Sequence, residues 1–122
     1  RALPLPLSSP CHSRPQLRAA EKLKAAWGGI TCAAPQIDVI NNIDVAVVQE
    51  GAAMADALYR QAFGPVRWVE SVQALKARGI THVVECGPGK VLAGMVKRID
   101  ADLIGAALYD PATLAEVKEL LA

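Results

Sequence analysis

Strand-like and helix-like segments alternate along the second half of this 122-residue chain. Residues 80–85 have a strong β-branched character and predict a strand, and residues 103–108 form an apolar run that predicts a buried strand. Residues 90–99 repeat apolar side chains every three or four positions and predict a helix, and Asp110 and Pro111 suit the start of a closing helix. A strand, helix, strand order favours a parallel sheet with helices on its faces, so the predicted fold class is α/β.

The first half of the chain predicts three more helices by the same spacing. We expect the first to begin near Ser13 and Pro15 and to end at Gly28, and the third to begin at Pro65 and to end at Gly79. The apolar positions that mark one face of each of these helices are Leu17, Ala20, Leu23 and Trp27; Met54, Leu58 and Ala62; and Val69, Val72 and Leu75. In the closing helix, Leu114, Val117 and Leu121 are expected to face inward.

Short strands are predicted before and between these helices. Residues 37–40 and 45–48 read as strands around a turn that begins at Asn41 and Asn42, whose side chains typically bond local backbone. Residues 2–8 alternate leucine with proline, and proline cannot donate to a ladder, so this segment is expected to be an edge strand or an extended arm.

Composition excludes several classes of function. Thirteen Lys and Arg against twelve Asp and Glu give a net charge of +1 without a basic run, so nucleic acid is not an expected partner. Apolar runs are far too short to cross a membrane, and Pro4 and Pro6 interrupt any secretory leader. Three widely spaced cysteines, Cys11, Cys32 and Cys86, fit neither a disulfide framework nor a zinc site. We therefore expect a cytoplasmic protein that binds no metal and no cofactor.

His12 is the candidate for proton transfer, because it lies in a proline-rich loop directly before a helix. A general base there needs a hydroxyl or thiol within reach and an acceptor for its other ring nitrogen. Taken by itself, a surface or capping histidine is the commoner case. Cys11 is adjacent, but sequence neighbours usually point apart, and His82 alternates within a strand and is given no role. The serines lack the small flanking residues of a nucleophilic elbow.

Gly87-Pro88-Gly89-Lys90 stands at a predicted helix start, where free backbone N–H groups can bind an anion. It lacks the spacing of a phosphate-binding loop, and Val91 replaces the metal-binding hydroxyl. A tight turn between strand and helix is the favoured interpretation.

Several segments together resemble the malonyl-CoA:acyl-carrier-protein transacylases, in the order of that family. They are RALPLPL at residues 1–7, SPCHS at 9–13, VINNID at 39–44, RQAFGPVRW at 60–68 and ECGPGKVL at 85–92. Each match is modest alone, and together they are specific. One departure follows the histidine: residues 14–19 read Arg-Pro-Gln-Leu-Arg-Ala, where the family tends to have Leu-Met and Pro-Ala.

The resemblance implies transfer of malonyl from coenzyme A to the phosphopantetheine thiol of acyl carrier protein through a seryl intermediate. His12 falls on the family's catalytic histidine, and Gln61 on the residue whose backbone carbonyl orients it. The family's serine, oxyanion glutamine and carboxylate-binding arginine precede anything present here. The chain starts at Arg1 without an initiator methionine and reads as a C-terminal piece. We expect it to be inactive alone.

The same resemblance divides the chain into two parts. Residues 1–9 would be the last strand of a ferredoxin-like small subdomain, and residues 10–122 the C-terminal part of an α/β-hydrolase-like large subdomain with a mostly parallel sheet. Lys90, Lys97 and Arg98 could dock an acidic carrier protein. Two alternatives stay open: a polyketide-synthase-type acyltransferase fragment, and a non-catalytic remnant or interaction module.

Overall fold

The computed structural model describes residues 9–122. The strand expected over residues 1–9 lies outside the described residues, except for Ser9, which forms a bend. The chain divides into two compact units, Arg1–Trp68 and Val69–Ala122. In the part of the chain that the structure describes, helices are too short or too polar to cross a membrane.

The first unit is built on two packed helices. A 3-10 turn, Arg14–Gln16, leads into helix α1, Leu17–Trp27, and helix α2 spans Gly51–Gln61. Ala20 and Ala57 are the buried residues of α1 and α2, and such small side chains let two helices approach closely. Both helices lie where the apolar spacing predicts them.

The two strands predicted around residues 41–44 do not form. A single antiparallel bridge, Ile40 to Val47, replaces them. Hydrogen bonds inside the turn explain the difference: the Asn41 carbonyl accepts from the Val45 N–H at 3.1 Å, and the Ala46 carbonyl accepts from the Asn41 N–H at 3.1 Å. The backbone at Val45 has a φ of +57°, which turns the chain away before a second ladder pair can form.

Helix α3, Trp68–Ala77, begins later than the prediction from Pro65. The Arg67 N–H donates to the Asn42 carbonyl at 3.1 Å, so the backbone just before the helix is held by the turn. The helix ends as predicted at Gly79, whose φ of +83° belongs to the left-handed region that glycine adopts without strain.

The second unit contains the predicted parallel pair of strands. Strand β1, His82–Cys86, and strand β2, Ile104–Leu108, pair in register from His82 opposite Ile104 to Cys86 opposite Leu108. Helix α4, Val91–Ile99, connects them, and helix α5, Pro111–Leu121, follows β2. The fully buried core side chains of this unit are Val72, Val96 and Leu103, but strand β2 itself is not buried as predicted, since Ile104 is 44% exposed. The α/β class with a small parallel sheet is therefore confirmed.

Helix α5 begins at the predicted cap. The Asp110 carboxylate accepts from the Thr113 N–H at 2.8 Å, and the Thr113 hydroxyl oxygen accepts from the Asp110 N–H at 3.0 Å. Thr113 and Val117 are buried, whereas Leu114 and Leu121 are 41% and 56% exposed. The inward face predicted for these two leucines is wrong, because the capping threonine and the residue one turn later occupy the buried face.

Candidate active site

His12 lies in the loop before the 3-10 turn, with a φ of +55°. Its Nδ1 is 2.9 Å from the backbone carbonyl oxygen of Gln61, 49 residues later in the chain. A carbonyl oxygen can only accept, so this contact requires the ring proton on Nδ1. The neutral ring then presents the lone pair of Nε2, which is the arrangement a general base needs.

The Gln61 carbonyl is available because of the residues that follow it. Gln61 is the last residue of α2, and the residue four positions on, which would normally donate to its carbonyl, is Pro65, which has no N–H. The neighbouring carbonyl of Arg60 is satisfied by the Gly64 N–H at 2.8 Å. Proline therefore leaves one helix carbonyl for the imidazole.

An ion pair joins the end of α2 to the turn of residues 41–47. Both terminal nitrogens of Arg60 donate to the Asp44 carboxylate at 2.7 Å, and Arg60 Nε donates to Asp56 at 2.7 Å. The guanidinium lowers the pKa of the Asp44 carboxyl mainly through these hydrogen bonds, and the two carboxylates raise the pKa of Arg60. The ion pair therefore holds the turn of residues 41–47 to the C-terminal end of α2.

The turn is fixed internally by the side chain of Asn41. Its Oδ1 accepts from the Asp44 N–H at 2.7 Å, and its Nδ2 donates to the Ala46 carbonyl at 3.0 Å. These local bonds are the turn chemistry predicted for the asparagines. Next to the turn, the Arg67 N–H donates to the Asn42 carbonyl at 3.1 Å.

An apolar cavity of about 230 Å³ lies between α2 and residues 39–48. Met54, Leu58 and Val48 supply much of its apolar wall, and Gln61 also lines it. The side-chain Oε1 of Gln61 is buried without a hydrogen-bond partner among the described residues. Gln61 thus presents its backbone to the imidazole while its side chain borders an apolar space.

The hydroxyls and thiol near His12 are not bonded to it in the described part of the chain. Ser9 Oγ accepts from Gln16 Nε2 at 3.1 Å and from Cys11 Sγ at 3.5 Å, and Ser13 Oγ donates to the Pro10 carbonyl. The structure brings His12 and Gln61 together, and the hydrogen bonds of Ser9, Cys11 and Ser13 go to other loop atoms.

The glycine-rich turn before α4 does not present a free helix N-terminus. The Glu85 carboxylate accepts from the Ala93 N–H at 2.8 Å, so a protein anion already occupies the position that a ligand would take. Gly87, with a φ of +155°, makes the turn. The tight-turn interpretation is therefore favoured. His82, by contrast with His12, has its Nδ1 on the neighbouring Thr81 hydroxyl at 2.8 Å.

Sequence reasoning missed the ion pair that holds α2 and the role of Pro65. The spacing of Asp56 and Arg60, four apart on one helix, was a readable signal. Asp44 lies 16 residues before Arg60 in a turn, and no local rule pairs them.

The search of family models found no match. Among curated proteins, the malonyl CoA-acyl carrier protein transacylase of Salmonella typhimurium is 47% identical over 115 residues, which is 94% of this chain and 37% of the relative. The Escherichia coli protein of the same name is 46% identical over 98% of this chain and 39% of its own length.

Solved structures agree with the curated relatives. The acyl-carrier-protein S-malonyltransferase of Burkholderia pseudomallei is 58% identical with a TM-score of 0.91, over 98% of this chain and 39% of that one. A malonyl-transacylase in complex with a type II polyketide-synthase acyl-carrier protein is 42% identical with a TM-score of 0.93, over the same shares. The chain spans about two-fifths of the length of these proteins. Over nearly its whole length, this chain is similar to the malonyl CoA-acyl carrier protein transacylases.

Proposed function

We propose that this chain is the histidine-bearing, C-terminal part of a transacylase that moves malonyl from coenzyme A to the phosphopantetheine thiol of acyl carrier protein. The observation that carries the proposal is the 2.9 Å contact between His12 Nδ1 and the Gln61 carbonyl, which leaves Nε2 free to act as a base. The names of the relatives supply the substrate class.

His12 would make four proton transfers in a complete cycle, and these carry two protons, each transferred twice. Nε2 takes the proton of a serine hydroxyl while the serine oxygen attacks the malonyl thioester, and the proton then passes to the departing coenzyme A sulfur. In the second half, Nε2 takes the proton of the carrier thiol as its sulfur attacks the seryl ester, and returns it to the serine oxygen. The Gln61 carbonyl holds the ring throughout and stabilises the imidazolium by accepting from Nδ1.

The serine belongs, in this proposal, to the part of the relatives that the chain does not span. Ser9 and Ser13 bond to loop atoms instead of His12, and neither lies in an elbow sequence. Residues 10–122 would form part of an α/β-hydrolase-like large subdomain, and residues 1–9 the last strand of a ferredoxin-like small subdomain. Without a nucleophile and oxyanion donors, the 122 residues alone are expected to form no acyl intermediate.

A chimera tests the proposal. The matching two-fifths of the Salmonella typhimurium relative are replaced by this chain, and malonyl transfer to acyl carrier protein is measured. We expect the chimera to be active, His12→Ala to abolish transfer, and the matched His82→Ala variant to retain it. Intact mass of the 122-residue chain after incubation with malonyl-CoA should show no added malonyl group. Equal activity of the parent chimera and its His12→Ala variant would contradict the proposal.

A polyketide-type acyltransferase is a second candidate, because one similar structure is a malonyl-transacylase bound to a type II polyketide-synthase carrier. Rates of malonyl transfer to a fatty-acid-synthesis carrier protein and to a polyketide-synthase carrier protein distinguish these two candidates. We expect the fatty-acid carrier protein to be the better acceptor. Exposed Lys90, Lys97 and Arg98 on and beside α4 are candidate contacts for an acidic carrier. A folded chimera without any transfer would favour a non-catalytic module.

A further inference from the structure

The ion pair between Asp44 and Arg60 sits directly beside the carbonyl that holds His12. We propose that these two residues are positioning residues: their two-point contact fixes the end of α2 so that the Gln61 carbonyl keeps the proton of His12 on Nδ1. This inference rests on the proposed role of His12 as a base. Neither residue makes a hydrogen bond to the imidazole among the described residues, and both act through the backbone of Gln61.

Arg60 is well suited to fix a helix end. Two of its nitrogens donate to the two oxygens of Asp44, each at 2.7 Å, and such planar fork-to-fork pairing sets orientation as well as distance. Its Nε donates to Asp56, one helical turn earlier, also at 2.7 Å. The side chain is therefore held by the helix on one side and by the turn on the other, and Gln61 is the next residue in the chain.

The turn that presents Asp44 is itself fixed by several hydrogen bonds. Asn41 bonds to it through both side-chain atoms, and Arg67 Nη1 donates to the Asp44 carbonyl at 3.5 Å. Val45, a β-branched residue, has a φ of +57°. Such a conformation costs about 1–3 kcal/mol and persists only where the surroundings enforce it, typically at functional sites. A rigid turn of this kind can transmit its position to the helix end.

The imidazole depends on this arrangement because it has little other support. His12 lies in an exposed loop, and the Gln61 carbonyl is its one hydrogen-bond partner among the described residues. A hydrogen bond weakens steeply as its angle and length change, so a displaced last turn of α2 would release the ring. A released ring can carry its proton on Nε2, and in that form Nε2 cannot accept the proton of a nucleophile.

The exposure of the pair separates positioning from general stabilisation. The side chains of Arg60 and Asp44 are 36% and 39% exposed. Ion pairs this exposed contribute little to the free energy of unfolding. Removing one partner should therefore change the state of His12 more than it changes the unfolding midpoint, which a merely structural role would not do.

Nitrogen-15 NMR of the 122-residue chain tests the inference without any catalysis. The chain has two histidines, so the ring spectrum contains only His12 and His82, and His82 serves as an internal reference. At about pH 8.5, two units above the usual histidine pKa, neutral rings report which nitrogen carries the proton. We expect the parent His12 to show an Nδ1–H cross-peak with slowed solvent exchange.

In Asp44→Asn and in Arg60→Lys we expect this cross-peak to be lost and an Nε2–H form to appear. Asp102→Asn is the matched control, because Asp102 makes an exposed ion pair with Lys76 in the second unit, and it should leave His12 unchanged. An unchanged His12 tautomer and exchange rate in both variants would overturn the inference. If Asp44→Asn unfolds the chain, Arg60→Lys decides, since it keeps the charge but cannot pair with both oxygens.

Kinetics in the chimera give a second readout. A misplaced base lowers kcat and leaves binding of malonyl-CoA nearly intact, so we expect kcat to fall by up to about a hundredfold in Asp44→Asn with KM little changed. The two experiments separate the two proposals. A tautomer change in the 122-residue chain, combined with a chimera whose activity does not depend on His12, supports the positioning role of the pair and rejects the catalytic role. An unchanged tautomer in the 122-residue chain, combined with a His12-dependent chimera, rejects the positioning role alone.

Discussion

Gly64 offers the sharpest test of how closely the end of α2 packs against the turn of residues 41–47. A Cβ added at Gly64 would lie 2.3 Å from Ile43 Cδ1 and 2.8 Å from the Arg60 carbonyl oxygen. Ordinary carbon contacts are about 3.5 Å or longer, so the end of the Ile43 side chain must move by about 1.2 Å, and the backbone at the Arg60 carbonyl must shift as well. Forced overpacking of this kind costs about 1–3 kcal/mol. We expect Gly64→Ala to destabilise the first unit by about 2 kcal/mol.

Urea unfolding followed by tryptophan fluorescence measures this loss. The two tryptophans, Trp27 and Trp68, both lie in the first unit, so their emission reports that unit. With a slope of about 1 kcal/mol per M, the expected loss lowers the unfolding midpoint by about 2 M. An unchanged slope would show that the native state lost stability while the surface exposed on unfolding stayed the same.

Ile43→Val provides the matched control, because it removes the methyl group that the new Cβ would meet. Alone it should cost about 0.5–1.5 kcal/mol. Combined with Gly64→Ala, it should recover about 1 kcal/mol relative to the sum of the single losses, since the two changes share one contact. Additive losses in the double variant, or a Gly64→Ala midpoint equal to that of the parent, would refute the steric reasoning.

Three further outcomes follow from the hydrogen bonds and charges described above. Pro65→Ala restores an N–H four residues after Gln61, so it should compete for the carbonyl and reduce the Nδ1–H cross-peak of the imidazole; an unchanged peak would contradict this. Thr113→Val leaves two backbone N–H groups at the start of α5 without their acceptor and should cost about 1–3 kcal/mol in urea unfolding followed by circular dichroism, whereas a loss under about 0.5 kcal/mol would argue against the cap. Hydrogen bonds from the Arg60 side chain lower the pKa of Asp44, and the backbone N–H of Thr113 lowers the pKa of Asp110. Both carboxylates therefore contribute stability above about pH 3.9, the usual Asp value, and this contribution is lost as pH falls through their lower folded pKa values. Because the two side chains are exposed, the contribution is small: the urea midpoint should drop slightly between pH 6 and pH 3, and only a little less in Asp44→Asn than in the parent.

Local rules were sufficient for most of the helices and for the parallel strands. Apolar spacing places α1, α2 and α4, a glycine in the left-handed region ends α3, and an Asp-Pro cap begins α5. Each of these signals acts within a few residues, where the backbone conformation is decided by side-chain entropy, capping and turn geometry. The same locality explains why the start of α3 was misplaced, since its backbone is held by Asn42, 25 residues earlier.

The faces of the elements were less predictable than their positions. Leucines at 114 and 121 suit a buried stripe by spacing, yet the structure buries the capping threonine and Val117 instead. Hydrophobicity ranks residues for burial, but the phase of a helix against its neighbours is set by packing among distant elements. The strands predicted at 37–40 and 45–48 failed for a related reason, because side-chain bonds inside the turn replaced the ladder.

By itself, the sequence determined the class of the fold and the segments that resemble transacylases, and that resemblance implied His12 and Gln61 as a candidate pair. Tertiary structure alone decided that they meet: 49 positions separate them, and Pro65 removes the one donor that would have taken the Gln61 carbonyl. It also decided that Asp44 reaches Arg60 across 16 positions. Contacts over such separations depend on how whole elements pack. The residues next to a side chain in the sequence therefore do not indicate which distant residue it will contact.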